Sequence, residues 1–149
     1  RTFSKAGGLA ALRVGYSISS AAIADILNRV RQPFNVGTVA LSAATAVLDD
    51  EDYLRRSREV NSAGLRQLEQ AFERMGLSYI PSAGNFIAVE VGEQAMGVYQ
   101  TLLAHGVIVR PIAGYGMPRH LRVSVGLPEE NERFIDALAQ ALTSSGLSD

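Results

Sequence analysis

The sequence predicts an α/β fold built in two unequal parts with a long helix between them. Three observations predict it. Apolar residues recur at helical spacing in several stretches, beginning with Ile23, Ile26, Leu27 and Val30. Short β-rich segments alternate apolar and polar residues, most cleanly where Leu121, Val123 and Val125 interleave with Arg122 and Ser124. The acidic run Asp49-Asp50-Glu51-Asp52 opens the longest helical pattern, and beyond that helix the chain turns from alanine-rich to glycine- and proline-punctuated. The chain accordingly divides into residues 1–48, the end of a larger domain, a linking helix over 49–76, and a small α+β domain over 77–149.

Taken in order, residues 12–17 are short and β-rich and predict a strand. Ser19 and Ser20 are hydroxyl caps for the helix carrying Ile23 to Val30, which ends at Gln32-Pro33 because proline disfavours α geometry in the residue before it. Asn35 or Thr38 caps a second helix through Val39, Ala40, Ala43, Ala44, Val47 and Leu48, whose small side chains predict close packing. In the long helix the acidic opening suits the positive end of the dipole, and Leu65, Leu68, Phe72 and Met75 form the apolar stripe. Its arginines, at 55, 56, 58, 66 and 74, read as a solvated face balanced by Glu59, Glu69 and Glu73, and Gly76 closes the helix. Strands over 78–80 and 86–91 flank the turn Pro81-Ser-Ala-Gly-Asn85. A helix with Ala95, Tyr99, Leu102 and Leu103 inward ends at Gly106, followed by a strand over 107–110, a loop over 111–118 and a strand over 120–126. Pro128 fits the first position of the last helix, with Phe134, Ile135, Leu138, Ala141 and Leu142 inward and a tail fraying from Ser144.

Composition removes several classes of function. A net charge of −1 gives no basic footprint for nucleic acid and no polybasic membrane surface, and no run approaches the length of a membrane span. With no cysteine there is neither a disulfide framework nor thiolate chemistry, as suits a cytoplasmic protein. His105 and His120 stand far apart without ligand spacing, so no metal site is expected.

The chemistry concentrates at the start. Lys5 is the only lysine in a chain with 14 basic residues, flanked by Thr2 and Ser4 and followed by Gly7, Gly8 and Arg13. A solvated face can use either cation, but a position that must lose a proton and attack a carbonyl cannot use arginine. A lysine amine can form a Schiff base with an aldehyde cofactor such as pyridoxal phosphate. The phosphate then needs hydroxyls, backbone N–H groups freed by glycine and one planar cation, and Thr2, Ser4 and Arg13 supply that set.

The stretch Arg-Thr-Phe-Ser-Lys-Ala…Gly-Leu-Ala…Leu-Arg-Val-Gly-Tyr, over residues 1–16, resembles the cofactor-lysine signature of fold-type I aminotransferases, and most of all the histidinol-phosphate aminotransferases. Val-Ile-Val-Arg-Pro…Gly-Tyr-Gly…His-Leu-Arg-Val-Ser-Val-Gly…Pro-Glu-Glu-Asn-Glu-Arg-Phe, over 107–134, is similar to the C-terminal domain of the same family. The resemblance covers essentially the whole chain and implies a fragment of the fold-type I fold: the end of the large cofactor domain plus a small C-terminal α+β domain. It implies a pyridoxal-phosphate enzyme that exchanges an amino group between glutamate (or 2-oxoglutarate) and the histidinol-phosphate pair, in histidine biosynthesis, as a cytoplasmic homodimer. In that reading Lys5 anchors the cofactor and shuttles the proton, and Thr2, Ser4 and Arg13 hold its phosphate. Arg122 receives the substrate anion, Arg110 assists it, and Asn85 matches a family asparagine near the active site; as a residue, Asn85 is equally a turn former.

The chain opens on Arg1 inside the motif, which predicts a C-terminal portion of a longer enzyme, inactive by itself. Three positions depart from the family pattern: Gly7 for an aromatic and Ala11 for a glycine, which predict a looser cofactor loop, and Leu127 for a hydroxyl, which predicts a weaker cap on the last helix. Related readings share most of these residues: an aromatic aminotransferase, a phosphothreonine decarboxylase-like enzyme, or the non-catalytic effector domain of an aminotransferase-like regulator.

Overall fold

The computed structural model describes residues 1–144, and the fraying tail expected past Ser144 lies outside them. The chain forms two compact units, Arg1–Glu59 and the chain from Val60 onward. The boundary falls inside the long helix, which is shared between the units where the sequence suggested a separate link over 49–76.

In the first unit the chain doubles back on itself before three helices, α1 (Ala21–Val30), α2 (Thr38–Asp49) and the start of α3 (Glu51–Arg74). The strand expected over 12–17 does not form. Ala10–Leu12 is a 3-10 turn, and Arg13 takes the left-handed conformation (φ 50°), which breaks an extended backbone. What remains is a single antiparallel bridge between Thr2 and Gly15, with Phe3 N–H donating to Val14 O at 3.2 Å. The stripe on α1 forms as expected, yet Ile23, Ile26, Leu27 and Val30 are all exposed, and the Ser20 side chain makes no cap bond. Gly37 precedes α2 in the cap position, in place of the expected Asn35 or Thr38. Ala40 and Ala44 do pack closely, as their size predicts, burying themselves with Val14 against Phe3, Leu9, Leu12 and Val36. At the start of α3 the Asp50 carboxylate accepts the Tyr53 N–H at 2.9 Å, a side-chain cap on an orphan donor.

The second unit is a four-stranded antiparallel sheet with the order β1-β2-β4-β3: β1 (Tyr79–Ile80), β2 (Phe86–Glu90), β3 (Arg110–Pro111) and β4 (His120–Ser124). Period-two alternation gives the sheet its two faces. Ile87, Val89, Leu121 and Val123 point to one core with the C-terminal half of α3 (Leu65, Leu68, Ala71, Phe72), with α4 (Ala95–Ala104) and with α5 (Pro128–Ser144). Gly76, at φ +68°, ends α3 in a conformation that a side chain would oppose.

Two expectations in this unit need correction. The strand predicted over 107–110 pairs only at Arg110–Pro111, although β4 continues to Ser124 before the next turn is drawn toward α5, where Asn131 Oδ1 accepts the Gly126 N–H at 2.9 Å. The cap of α5 is not left wholly open by Leu127 either. Its N–H donates to Glu130 Oε2 at 2.7 Å, the half of a capping box that the carboxylate supplies, while leucine offers no side-chain acceptor for the other half, the first-turn N–H that a hydroxyl would serve.

Candidate functional site

The expected residues fall in both units: Thr2, Ser4, Lys5 and Arg13 in the first, Asn85, Arg110 and Arg122 in the second. In the first, two backbone bonds tie the loop that carries Lys5. Gly8 N–H donates to Lys5 O at 2.9 Å, and Leu9 N–H donates to Phe3 O at 2.9 Å. Gly7 is buried here, where a Cβ would stand 3.0 Å from Phe3 O and 3.3 Å from Val47, so an aromatic would not fit. Gly8 has φ +68°, and a Cβ on it would collide with the Tyr53 hydroxyl. The departure at Gly7 is therefore accommodated by tight packing, while Ala11 is exposed.

On this frame the Lys5 side chain is exposed and has no hydrogen bond or ion pair among the described residues. Thr2 Oγ1 accepts the Ser4 N–H at 3.1 Å, which leaves the threonine O–H free to donate. Arg13 Nη1 donates to Ala10 O at 2.8 Å, capping the 3-10 turn and leaving most of its N–H groups for another acceptor. Two hydroxyls, one guanidinium and one amine with no partner of its own thus stand on a single doubled-back segment. That donor set fits a phosphate-bearing aldehyde.

In the second unit the sheet face opposite the core carries the other residues. Directly opposed residues of an antiparallel ladder share a face, so Ile80, Ala88, Arg122 and Arg110 form one row across the four strands. Like charges directly opposite each other disfavour a ladder, and neither arginine has an acidic partner among the described residues. Arg122 Nε is buried without any hydrogen-bond acceptor. Its guanidinium lies 4.9 Å from the centroid of the Phe86 ring. A cavity of about 380 Å³ opens here, lined by Arg122, Phe86, Ile80, Ile112, Tyr115 and Met117 among others. Arg110 is not among the lining residues. A guanidinium without an acidic partner, beside an apolar wall, suits a small anion with a carbon body.

Asn85 is not among the residues lining that cavity. It is exposed, and its backbone carbonyl accepts the Val125 N–H at 2.9 Å. Sequence reasoning missed Phe86 and Tyr53. Phe86 carried a signal, since alternation places it on the Arg122 face; Tyr53 carried none, because only the close approach to Gly8 reveals it. Among the described residues no acidic or histidine cluster could hold a metal ion, and no helix is long and apolar enough to cross a membrane.

Residues 1–138 match the family profile of aminotransferases class I and II. The chain belongs to that family. Among curated class I and II aminotransferases, histidinol-phosphate aminotransferase 2 of Pseudomonas aeruginosa is 66% identical over 142 residues, covering 95% of this chain and 38% of that protein. The corresponding enzyme of Pasteurella multocida is 59% identical over 142 residues, again 95% of this chain and 39% of that protein. The histidinol-phosphate aminotransferase of Sinorhizobium meliloti, solved in complex with pyridoxal-5'-phosphate, superposes with a TM-score of 0.88 at 31% identity, covering 97% of this chain and 41% of that one. The chain therefore spans about two-fifths of the length of the relatives it matches. The neighbours are fold-type I aminotransferases, so the predicted α/β fold class holds, as a portion of that fold.

Proposed function

We propose that this chain is the C-terminal portion of a pyridoxal-phosphate-dependent histidinol-phosphate aminotransferase, which exchanges an amino group between glutamate and the histidinol-phosphate pair in histidine biosynthesis. The full-length enzyme would be a cytoplasmic homodimer, with a large cofactor domain ending near residue 48 and the small domain beginning at 77. The observation that carries the reading is the opposed pair Arg110 and Arg122, with a buried unpartnered Nε on Arg122 and no acid beside either. Two different substrates must present an anion to one site, a carboxylate from glutamate and a phosphate from the other, and a planar guanidinium fork grips both.

Pyridoxal phosphate, when bound, supplies the aldehyde that carries the amino group and the ring that withdraws electrons. Lys5 holds it and moves the proton at the substrate's α-carbon, because its amine alone among the cationic side chains of this segment can lose a proton readily. Thr2, Ser4 and Arg13 receive the cofactor phosphate. Arg122 orients the substrate by its anion, Arg110 adds a second cation, and Asn85 stands at the turn leading into that face.

Arg122→Ala in the full-length protein tests the reading. Both half-reactions should lose about 2–5 kcal/mol of transition-state binding, as truncation at a charged contact commonly does. Near-normal single-turnover rates with both glutamate and the phosphorylated substrate would refute it. Arg110→Ala should cost less in the same assay; a larger loss there reverses the two roles.

A further inference from the structure

We infer that Phe86 is a positioning residue, whose ring face holds the Arg122 guanidinium flat so that its N–H edge meets the substrate anion. The inference rests on the reading of Arg122 as the anion-binding arginine, and it adds what keeps that arginine in place. Phe86 and Arg122 are diagonal neighbours: Ala88 opposes Arg122 in the ladder, and Phe86 lies two residues from Ala88 on the same face. A diagonal is within reach of an aromatic ring. The ring centroid lies 4.9 Å from the guanidinium carbon, inside the range of a cation–π contact.

Three further observations agree. Phe86 is 40% exposed, a large apolar side chain on the sheet face where alternation would favour a polar one. Serving a cation accounts for it better than serving the core, which takes Ile87 from the neighbouring position. Arg122 has no carboxylate to steer it among the described residues, and the Phe86 ring lies against its charged head. An acid in that place would compete with the substrate anion, whereas a ring face attracts the cation and leaves its in-plane donors free. Both residues line the same cavity, so the contact borders the space the anion would enter.

The test varies the charge distribution of the ring at constant shape. Progressively fluorinated phenylalanines at position 86 of the full-length protein deplete the ring's negative face while preserving its outline. KM for glutamate should rise with each added fluorine, by about 3- to 30-fold in total, while kcat moves by less than about twofold. Phe86→Leu, of similar apolar size, should match the most fluorinated ring, and Phe86→Tyr should restore the native KM. A flat KM across the series, with Arg122→Ala still raising it, overturns the inference and leaves the anion site standing. A flat KM in Arg122→Ala as well overturns the anion site and this inference with it.

Discussion

The two units hold different parts of the proposed site and are built to different standards. The second has a core of its own: Leu68, Phe72, Ile87, Leu102, Leu121 and Leu138 are fully or almost fully buried, and helices α3, α4 and α5 contribute to one cluster with the sheet. The buried apolar side chains of the first are Val14, Ala40 and Ala44, while Ile18, Val30, Phe34 and Val39 stand open at 89%, 73%, 97% and 74% exposure. Burial of apolar area is the dominant stabilising term, so the arginine pair stands on a self-supporting frame and Lys5 does not. Backbone hydrogen bonds and glycine contacts, more than a core, define the lysine loop.

The largest expected effect breaks the comparison from the first unit. Lys5→Arg keeps the charge but cannot hold the aldehyde or shuttle a proton, so turnover of the full-length protein should fall about 10²–10⁴-fold with the fold retained. Lys5→Ala should fall equally. Borohydride reduction of the native holoenzyme should leave the cofactor on the peptide containing Lys5; recovery on any other lysine sinks the assignment.

Next in size is a test of the two cores. Phe72→Ala should destabilise the second unit by about 3–5 kcal/mol, read by denaturant unfolding. Ile26→Ala, on the open face of α1, should change stability by less than about 0.5 kcal/mol in this chain. Hydrogen exchange should find the amides of β2 and β4 protected and those of α1 nearly free. Equal protection in both would mean that α1 has a cover the comparison does not recognise.

A smaller effect concerns the polar latch of the second unit. Asn131 is 2% exposed; its Oδ1 accepts the Gly126 N–H at 2.9 Å and its Nδ2 donates to Gln67 Oε1 at 3.0 Å. Asn131→Ala strands those groups and should cost about 1–3 kcal/mol by thermal or chemical unfolding. An unchanged midpoint would show that water replaces the latch without loss.

The smallest effect is a titration. Tyr79 Oη donates to Glu73 at 2.9 Å, and that bond holds the phenol above the ordinary tyrosine range. The neutral phenol is the form that donates, so its contribution is complete below the pKa of the unfolded chain and is lost as pH rises through the raised value. Phenolate absorbance should place Tyr79 above free tyrosine, and Glu73→Gln should bring it down. A titration identical in the variant would remove Glu73 as the cause.

Much of this was legible along the chain because it is local. The stripe Leu65, Leu68, Phe72 follows helical spacing, and the alternation from Leu121 to Val125 sets which side faces the core; both are periodicities of a single element. The lone Lys5 among hydroxyls and glycines is legible for a chemical reason: no other cation in the chain can do what an amine does. The failures are equally local in cause. A β-rich composition over 12–17 predicted a strand, but a strand needs a partner along its length, and Arg13 turns left-handed after one bridge.

What the sequence determined by itself was the fold class, the presence of one lysine among hydroxyls and glycines, and the outward face of Arg122, because each follows from residue type and period. What only the tertiary structure decided was pairing. That Arg110 opposes Arg122 depends on strand order β1-β2-β4-β3, which brings together residues from separate stretches of chain. That Phe86 reaches the guanidinium, that Glu130 accepts the Leu127 N–H at the start of α5, and that Tyr53 approaches Gly8 depend on register and close approach. Periodicity assigns a side chain to a face; only the packed chain decides what it meets there, since contact energies fall away within a few tenths of an ångström.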